Sequence, residues 1–360
     1  MDRAAEVARC ETVGDVLALL GEDDGWSEPW QGFFAGLLDA SGLSYIRFAA
    51  RCGLSKNTVR RWRLEGGAPK SRDTYIKVGF GAVMSPQAVS DMLSRYGGYC
   101  GLNPRDPFDA CCVFCLQRRA QGDMQYDYAA AEALYRRLLA ERQPDGPSSL
   151  TTTRLMARLS AVDTEQAFAA FLQTFGTELT GRKHKLERYL DEYLTVHRLE
   201  AVRDGGSGSV HSLGLPSWTD KQLSLLRCHG IVPRRRSLIA IGLHLDMTLE
   251  ELDVLLRYAG MEPLRARDRL ECVLIYALQQ LTLTHPELAL GNATALLAVT
   301  RDAKTRRRCT ELAQEYWRAG YRSEPEDVES VAAYVRRVLE KMELDEADEL
   351  LGLLSNNATS

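Results

Sequence analysis

The 360-residue chain is expected to be all-α, on three observations. Apolar residues recur at helical spacing along almost every segment, and no run alternates with the period of a half-buried strand. Helix-start chemistry is dense: Ser55, Ser71, the Ser85–Pro86 pair and Thr248 with Glu251 each precede such a segment. Finally, two stretches can be laid over one another as copies of one helical unit.

In chain order, residues 1–29 read as one amphipathic helix (Val7, Val13, Val16, Leu17, Leu20) and then an acidic turn. Residues 30–40 read as a helix with Phe33, Phe34, Leu37 and Leu38 on one face. Residues 44–64, SYIRFAARCGLSKNTVRRWRL, read as two short helices around a tight corner. Phe48, Ala49 and Cys52 form the apolar stripe of the first helix. Gly53 stands where the chain must turn, because a residue without Cβ turns at least cost. Leu54 follows at the angle, and Ser55 is a natural N-cap for the second helix. There Val59 and Trp62 face inward, leaving Lys56, Asn57, Arg60 and Arg61 on the outer face. Further helices are expected from Ser71, after Ser85–Pro86, from Pro107 and over residues 126–142. Residues 143–149, QPDGPSS, have linker composition. Helices resume at residue 150, one of them carrying Ala167, Phe168, Phe171, Leu172 and Phe175, and residues 205–209, GGSGS, read as a flexible loop.

The repeat matches the segment from Arg72 with the segment from Arg235. Gly79 pairs with Gly242, Met84 with Met247, Leu93 with Leu256 and Gly97 with Gly260. Arg105-Asp106 pairs with Arg267-Asp268 after a one-residue slip. Backwards from there, VRRWRLEGGAP (residues 59–69) aligns with LSLLRCHGIVP (residues 223–233). The second copy has Ser224 and Leu225 where the first has Arg60 and Arg61, so it reads as a degenerate unit kept for packing, dimerisation or effector sensing.

Composition narrows the class. Hydrophobic residues make up 45% and charged residues 26%, as in ordinary globular proteins. No apolar run approaches the ~20 residues a membrane helix needs, and no signal pattern opens the chain, so a cytoplasmic protein is expected. Nine cysteines suggest no disulfide framework. The net charge of −4 conceals segregation. Residues 47–77 hold nine basic side chains (Arg47, Arg51, Lys56, Arg60, Arg61, Arg63, Lys70, Arg72, Lys77) against Glu65 and Asp73, a net +7. Residues 324–349 carry a net −7. A local basic patch on a mildly acidic chain suits nucleic acid held on one face, although charge runs are also simply solvated helix faces.

Other chemistry is weaker. Cys112 and Cys115 have the spacing of a zinc knuckle, with Cys100 and Cys111 nearby. In the repeat, however, Cys111, Cys112 and Cys115 align with Val273, Leu274 and Ala277, as small core hydrophobes would. The six histidines show no metal spacing. LDEADELL (residues 344–351) mimics a helicase Walker-B box, but no GxxxxGK[ST] loop precedes it to hold a nucleotide, so it reads as an acidic amphipathic helix. No metal, cofactor or catalytic residue is expected, and the chain does not read as an enzyme.

The corner at residues 44–64, with Ala49 four before Gly53, the Gly66-Gly67-Pro69 stretch and the helices after Ser71 and Ser85, resembles the lambda-repressor-like, or XRE-type, helix-turn-helix family. The resemblance covers residues 30–96; Arg63, Leu64 and Glu65 before Gly66 make the loop longer than the family pattern. It implies double-stranded DNA as partner, binding as a homodimer, and a role as a bacterial transcriptional regulator. It also implies that Lys56, Asn57, Arg60 and Arg61, with Ser55 and Thr58, face base edges, while Arg47, Arg63 and Lys70 hold phosphates. The expected organisation is an N-terminal helix (1–29), a DNA-binding domain (30–142), a connector (143–194), a degenerate repeat (195–303) and C-terminal helices with an acidic tail (304–360). The alternative is a helical adaptor that holds a protein partner, such as a signalling kinase or toxin, without functional DNA contact.

Overall fold

The computed structural model describes residues 3–21, 29–139, 151–175, 182–203, 215–229, 231–321 and 329–355. The expected linker at 143–149, the glycine–serine loop at 205–209 and the acidic turn after residue 21 lie outside the described residues. Among the described residues the chain forms twenty α-helices and no strand. No helix there is long and apolar enough to cross a membrane. Two compact units result: Ser27–Arg182, and a discontinuous unit of Met1–Trp26 with Lys183–Ser360.

The N-terminal segment forms two helices rather than the expected one, α1 (Arg3–Val7) and α2 (Val13–Leu20). A capping box at Thr12 causes the break: Asp15 N donates to Thr12 Oγ1 (3.2 Å) and Thr12 N to Asp15 Oδ2 (2.8 Å). Val7 and Val16 are fully buried, whereas Leu17, expected on the apolar face, is 45% exposed.

The unit Ser27–Arg182 contains α3 (Trp30–Ala40), α4 (Tyr45–Arg51), α5 (Lys56–Leu64), α6 (Arg72–Gly81) and α7 (Pro86–Met92). A π-turn (Leu93–Gly97) follows, then α8 (Pro107–Ala120), α9 (Tyr128–Leu139), α10 (Thr152–Ser160) and α11 (Glu165–Phe175). Helix α8 is the hub; every residue from Ala110 to Leu116 is fully buried. Helices α10 and α11 group with it instead of forming a separate connector. The Phe168 and Phe114 rings stack at 4.8 Å, and Arg105 Nε donates to Thr152 Oγ1 at 3.0 Å.

The discontinuous unit continues with α12 (Arg182–Arg203), α13 (Ser217–His229), α14 (Arg235–His244), α15 (Leu249–Tyr258) and α16 (Arg269–Thr284). It ends with α17 (Pro286–Val299), α18 (Ala303–Arg318), α19 (Val331–Met342) and α20 (Asp348–Leu354). Here α16 is the hub, and it also receives the chain's beginning. Arg269 Nη2 donates to Leu20 O (3.1 Å) and Gln280 Nε2 to Cys10 O (3.0 Å). The C-terminal helices belong to the same core. Asp246 Oδ1 accepts from Val331 N, the first amide of α19, at 2.8 Å.

The repeat is present contact by contact. Gly79 lies against Val89, and a Cβ added to it would stand 2.4 Å from Val89 Cγ2; Gly242 meets Leu252 Cδ1 at 2.6 Å in the same way. The helix ends before α7 and α15 both turn through a left-handed non-glycine residue, Val83 (φ 57°) and Asp246 (φ 50°). Ser90 Oγ accepts from Leu102 N (3.0 Å), and Asp253 Oδ1 accepts from Leu264 N (2.9 Å). Asp106 and Asp268 cap the two hub helices. One pairing needs correction. The left-handed glycines are Gly98 (φ 63°) and Gly260 (φ 72°), so Gly98, not Gly97, matches Gly260. Tyr99 N bonds back to Leu93 O (3.0 Å), whereas Met261 N bonds back to Leu256 O (2.8 Å), one residue nearer. The first copy therefore absorbs its extra residue as the π-turn.

Candidate nucleic-acid interface

Helices α4 and α5 meet at the corner that the sequence marks. Ser44 caps α4 through Arg47 N (3.4 Å), and Ser55 caps α5 through Thr58 N (3.1 Å). Between them Gly53 takes φ 64°, and Leu54 N closes the turn onto Ala49 O at 2.8 Å. Phe48, Ala49 and Cys52 are buried as the stripe predicts. The tightest approach is between α4 and α6, where a Cβ on Gly81 would stand 2.1 Å from Cys52 Sγ.

Aromatic packing fixes the orientation of α5. Trp62 meets Trp30 at 5.9 Å and Phe34 at 5.4 Å, both edge to face, and Phe34 meets Phe48 at 5.7 Å. Gln31 Nε2 donates to Arg63 O at 2.8 Å, tying the last turn of α5 to α3. With Val59 and Trp62 held inward, Lys56, Asn57, Arg60, Arg61 and Arg63 are exposed. Arg60 approaches Glu65 at 3.7 Å, an exposed pair that stabilises little. Arg61 runs back beside Gly67, whose Cβ would lie 3.4 Å from Arg61 Nε. The hydroxyls of Ser55 and Thr58 are 2.8 Å apart and serve the cap. Arg47 is exposed on the first turn of α4, and Lys70 is exposed just before α6.

Not all of the basic window is surface. Arg72 is withdrawn into the unit, where Nη1 and Nη2 donate to Asp109 Oδ1 (2.7 Å) and Oδ2 (2.9 Å). Burial works against its charge, and Asp109 more than offsets this, raising the guanidinium's pKa. Lys77 Nζ lies 4.8 Å from the Tyr128 ring centre. These two charges are spent internally, so the exposed cations concentrate on α4, α5 and the segment up to Lys70.

Reasoning from sequence missed the buried ion pair and its twin. Arg235 Nε and Nη2 donate to the two Glu271 oxygens at 2.7 and 2.8 Å. In both copies an arginine opening one helix grips an acid on the first turn of the hub helix, and the same acid accepts a loop amide. Asn103 N reaches Asp109 Oδ2 at 2.8 Å, and Arg265 N reaches Glu271 Oε2 at 2.7 Å. The available signal was Asp106-x-x-Asp109 recurring as Asp268-x-x-Glu271.

On the helix of the second copy that matches α5, Leu223 and Leu226 are buried where Val59 and Trp62 are. Its outward positions carry Lys221 and Ser224, with Gln222 and Leu225 half-buried.

Cys111, Cys112 and Cys115 are fully buried, as are Val273, Leu274 and Ala277 opposite them in the repeat. Burial pushes the Cys115 thiol up to about 12 and raises Cys111 and Cys112 as well, the reverse of a metal-bound thiolate. A thiol reagent under native conditions is expected to modify the exposed Cys228 first and these three only on unfolding. Zinc released in step with modification of the three would make them ligands instead.

No protein-family model, curated protein or solved structure matches the chain.

Proposed function

We propose that the chain is a sequence-specific double-stranded DNA-binding protein of the lambda-repressor-like, XRE type, acting as a bacterial transcriptional regulator. One observation carries this reading. Helix α5 is locked by Trp62 in an aromatic core, while Lys56, Asn57, Arg60 and Arg61 project from it into solvent. A helix fits the major groove, where arginine reads guanine and asparagine reads adenine through paired hydrogen bonds. Arg47, Arg63 and Lys70 are the accompanying phosphate contacts. The degenerate second copy joins two chains on paired half-sites, and no catalytic step is involved.

The test is selection of bound duplexes from random DNA by the full chain, followed by anisotropy titrations across salt. Affinity for the selected duplex should fall with a log–log slope of about −0.9 per phosphate neutralised. A second reading, an adaptor for a protein partner, draws on Ile46 (52% exposed) and Leu64 (64% exposed), which are apolar side chains on α4 and α5. Absence of any duplex preference would move that reading ahead.

A further inference from the structure

The discontinuous unit holds a largely apolar recess of about 390 Å³, within the size range of small-ligand sites. Its apolar walls are Ala8 just past α1, Leu249 of α15, Leu283 of α16, Ala289 of α17, and Leu312 with Tyr316 of α18. Tyr316 is half-buried, and the Tyr321 ring stands 5.7 Å from it. Leu283, 74% exposed, is the most exposed large apolar side chain among the described residues. A bare leucine lining an apolar recess is surface that a bound molecule takes out of water.

Most polar groups of the wall are already engaged. Gln280 Nε2 donates to Cys10 O at 3.0 Å, which holds the segment after α1 on α16, and Thr282 Oγ1 donates to Leu278 O at 2.9 Å. Gln279 is the exception. It lines the recess, is half-buried, and its amide makes no hydrogen bond with any described residue. The same residue recurs in the first copy, where Leu116-Gln117 matches Leu278-Gln279 and Gln117 Oε1 is buried without a partner. The repeat thus keeps a glutamine at this step without using its amide oxygen internally. Charge narrows the ligand further. No Lys, Arg or His is among the described residues lining the recess, and the one charged side chain there, Glu250, is exposed. An anion finds no counter-charge, and an acid in water offers a cation little.

We propose that this recess binds a small uncharged molecule with a flat apolar body and an amide edge, an N–H beside a C=O. The edge pairs with the Gln279 amide, which offers both a donor and an acceptor. The body lies against Tyr316, Leu312 and Leu283. The site is independent of the DNA reading and makes the second copy an effector-binding unit.

In calorimetric titration of the full chain, oxindole, a bicyclic lactam, should saturate one site. N-methyloxindole has the same body without the N–H and should bind about tenfold more weakly. Phenylacetate, an anion, should not bind. Gln279→Leu should weaken oxindole to the level of N-methyloxindole and leave the methylated compound unchanged. Ala8→Phe, at an exposed position, places a ring in the recess and should abolish binding of both, with a melting temperature near wild type. The proposal is overturned if the wild type does not bind oxindole, if it binds phenylacetate or the two oxindoles equally well, or if binding survives Ala8→Phe. Should Gln279→Leu fail to fold, the methylated compound on the wild type still decides the role of the amide. No DNA is present in these titrations, so their failure leaves the α5 assignment standing.

Discussion

Replacing Arg60 and Arg61 together with alanine is expected to abolish discrimination between a selected duplex and random DNA while leaving the fold unchanged. Each lost bidentate base contact removes about 1–3 kcal/mol of discrimination. Both side chains are exposed, and among the described residues the only ion pair removed is the loose Arg60–Glu65 contact at 3.7 Å. Circular dichroism and the melting temperature should therefore stay near wild type. Arg47→Ala should behave differently, weakening cognate and random duplexes alike and lowering the salt slope by about one phosphate. Unchanged affinity in the Arg60/Arg61 variant, with an intact fold, would remove α5 from the DNA reading.

The largest stability effect is expected at the buried ion pair of the second copy. Arg235→Met leaves Glu271 charged, 5% exposed and without its main partner. Breaking one side of such a pair costs about 3–5 kcal/mol. Adding Glu271→Leu should recover part of this, because the orphaned charge disappears. The remainder reflects Arg265 N, Glu262 O and Pro263 O, which lose their partners. Acidification offers an independent check. Burial works against the Glu271 charge, but Arg235 and its hydrogen bonds outweigh that and hold the carboxyl below its ordinary value of 4.5. A depressed folded-state pKa stabilises fully above the unfolded value, and the gain is lost as pH falls through the folded one. Denaturant midpoints of the wild type should therefore drop below about pH 4.5, and the Glu271-linked part of that drop should be missing in the double variant.

Local chemistry made much of this fold readable. Ser55, Ser71 and Ser85 cap the helices that their positions announce, and Thr248 with Glu251 forms its capping box. The inward Val59 and Trp62 follow from spacing alone. Long-range partners were not readable. Arg72 looks like any surface arginine until Asp109 is brought to it from 37 residues away. The same holds for residues 1–29, where a periodic stripe suggested one continuous helix but could not reveal the destination of α1 and α2. At the candidate interface, spacing indicated which side chains face outward. It could not reveal that Lys77 rests on Tyr128, nor that Ser55 and Thr58 spend their hydroxyls on each other.

The discontinuity of the second unit has a consequence for the order of events during synthesis. Helix α2 emerges early, yet its carbonyl at Leu20 waits for Arg269, 249 residues later. At ribosomal speeds of about 5–20 residues per second, that interval is roughly 10–50 s. The intervening unit, Ser27–Arg182, has its whole sequence out of the ribosome well before then. The nascent chain thus carries Val16, Leu19 and Leu20 without their final neighbours for much of its synthesis. Pulse proteolysis of stalled chains should find Ser27–Arg182 protected first, and the N-terminal helices protected only once α16 has left the tunnel.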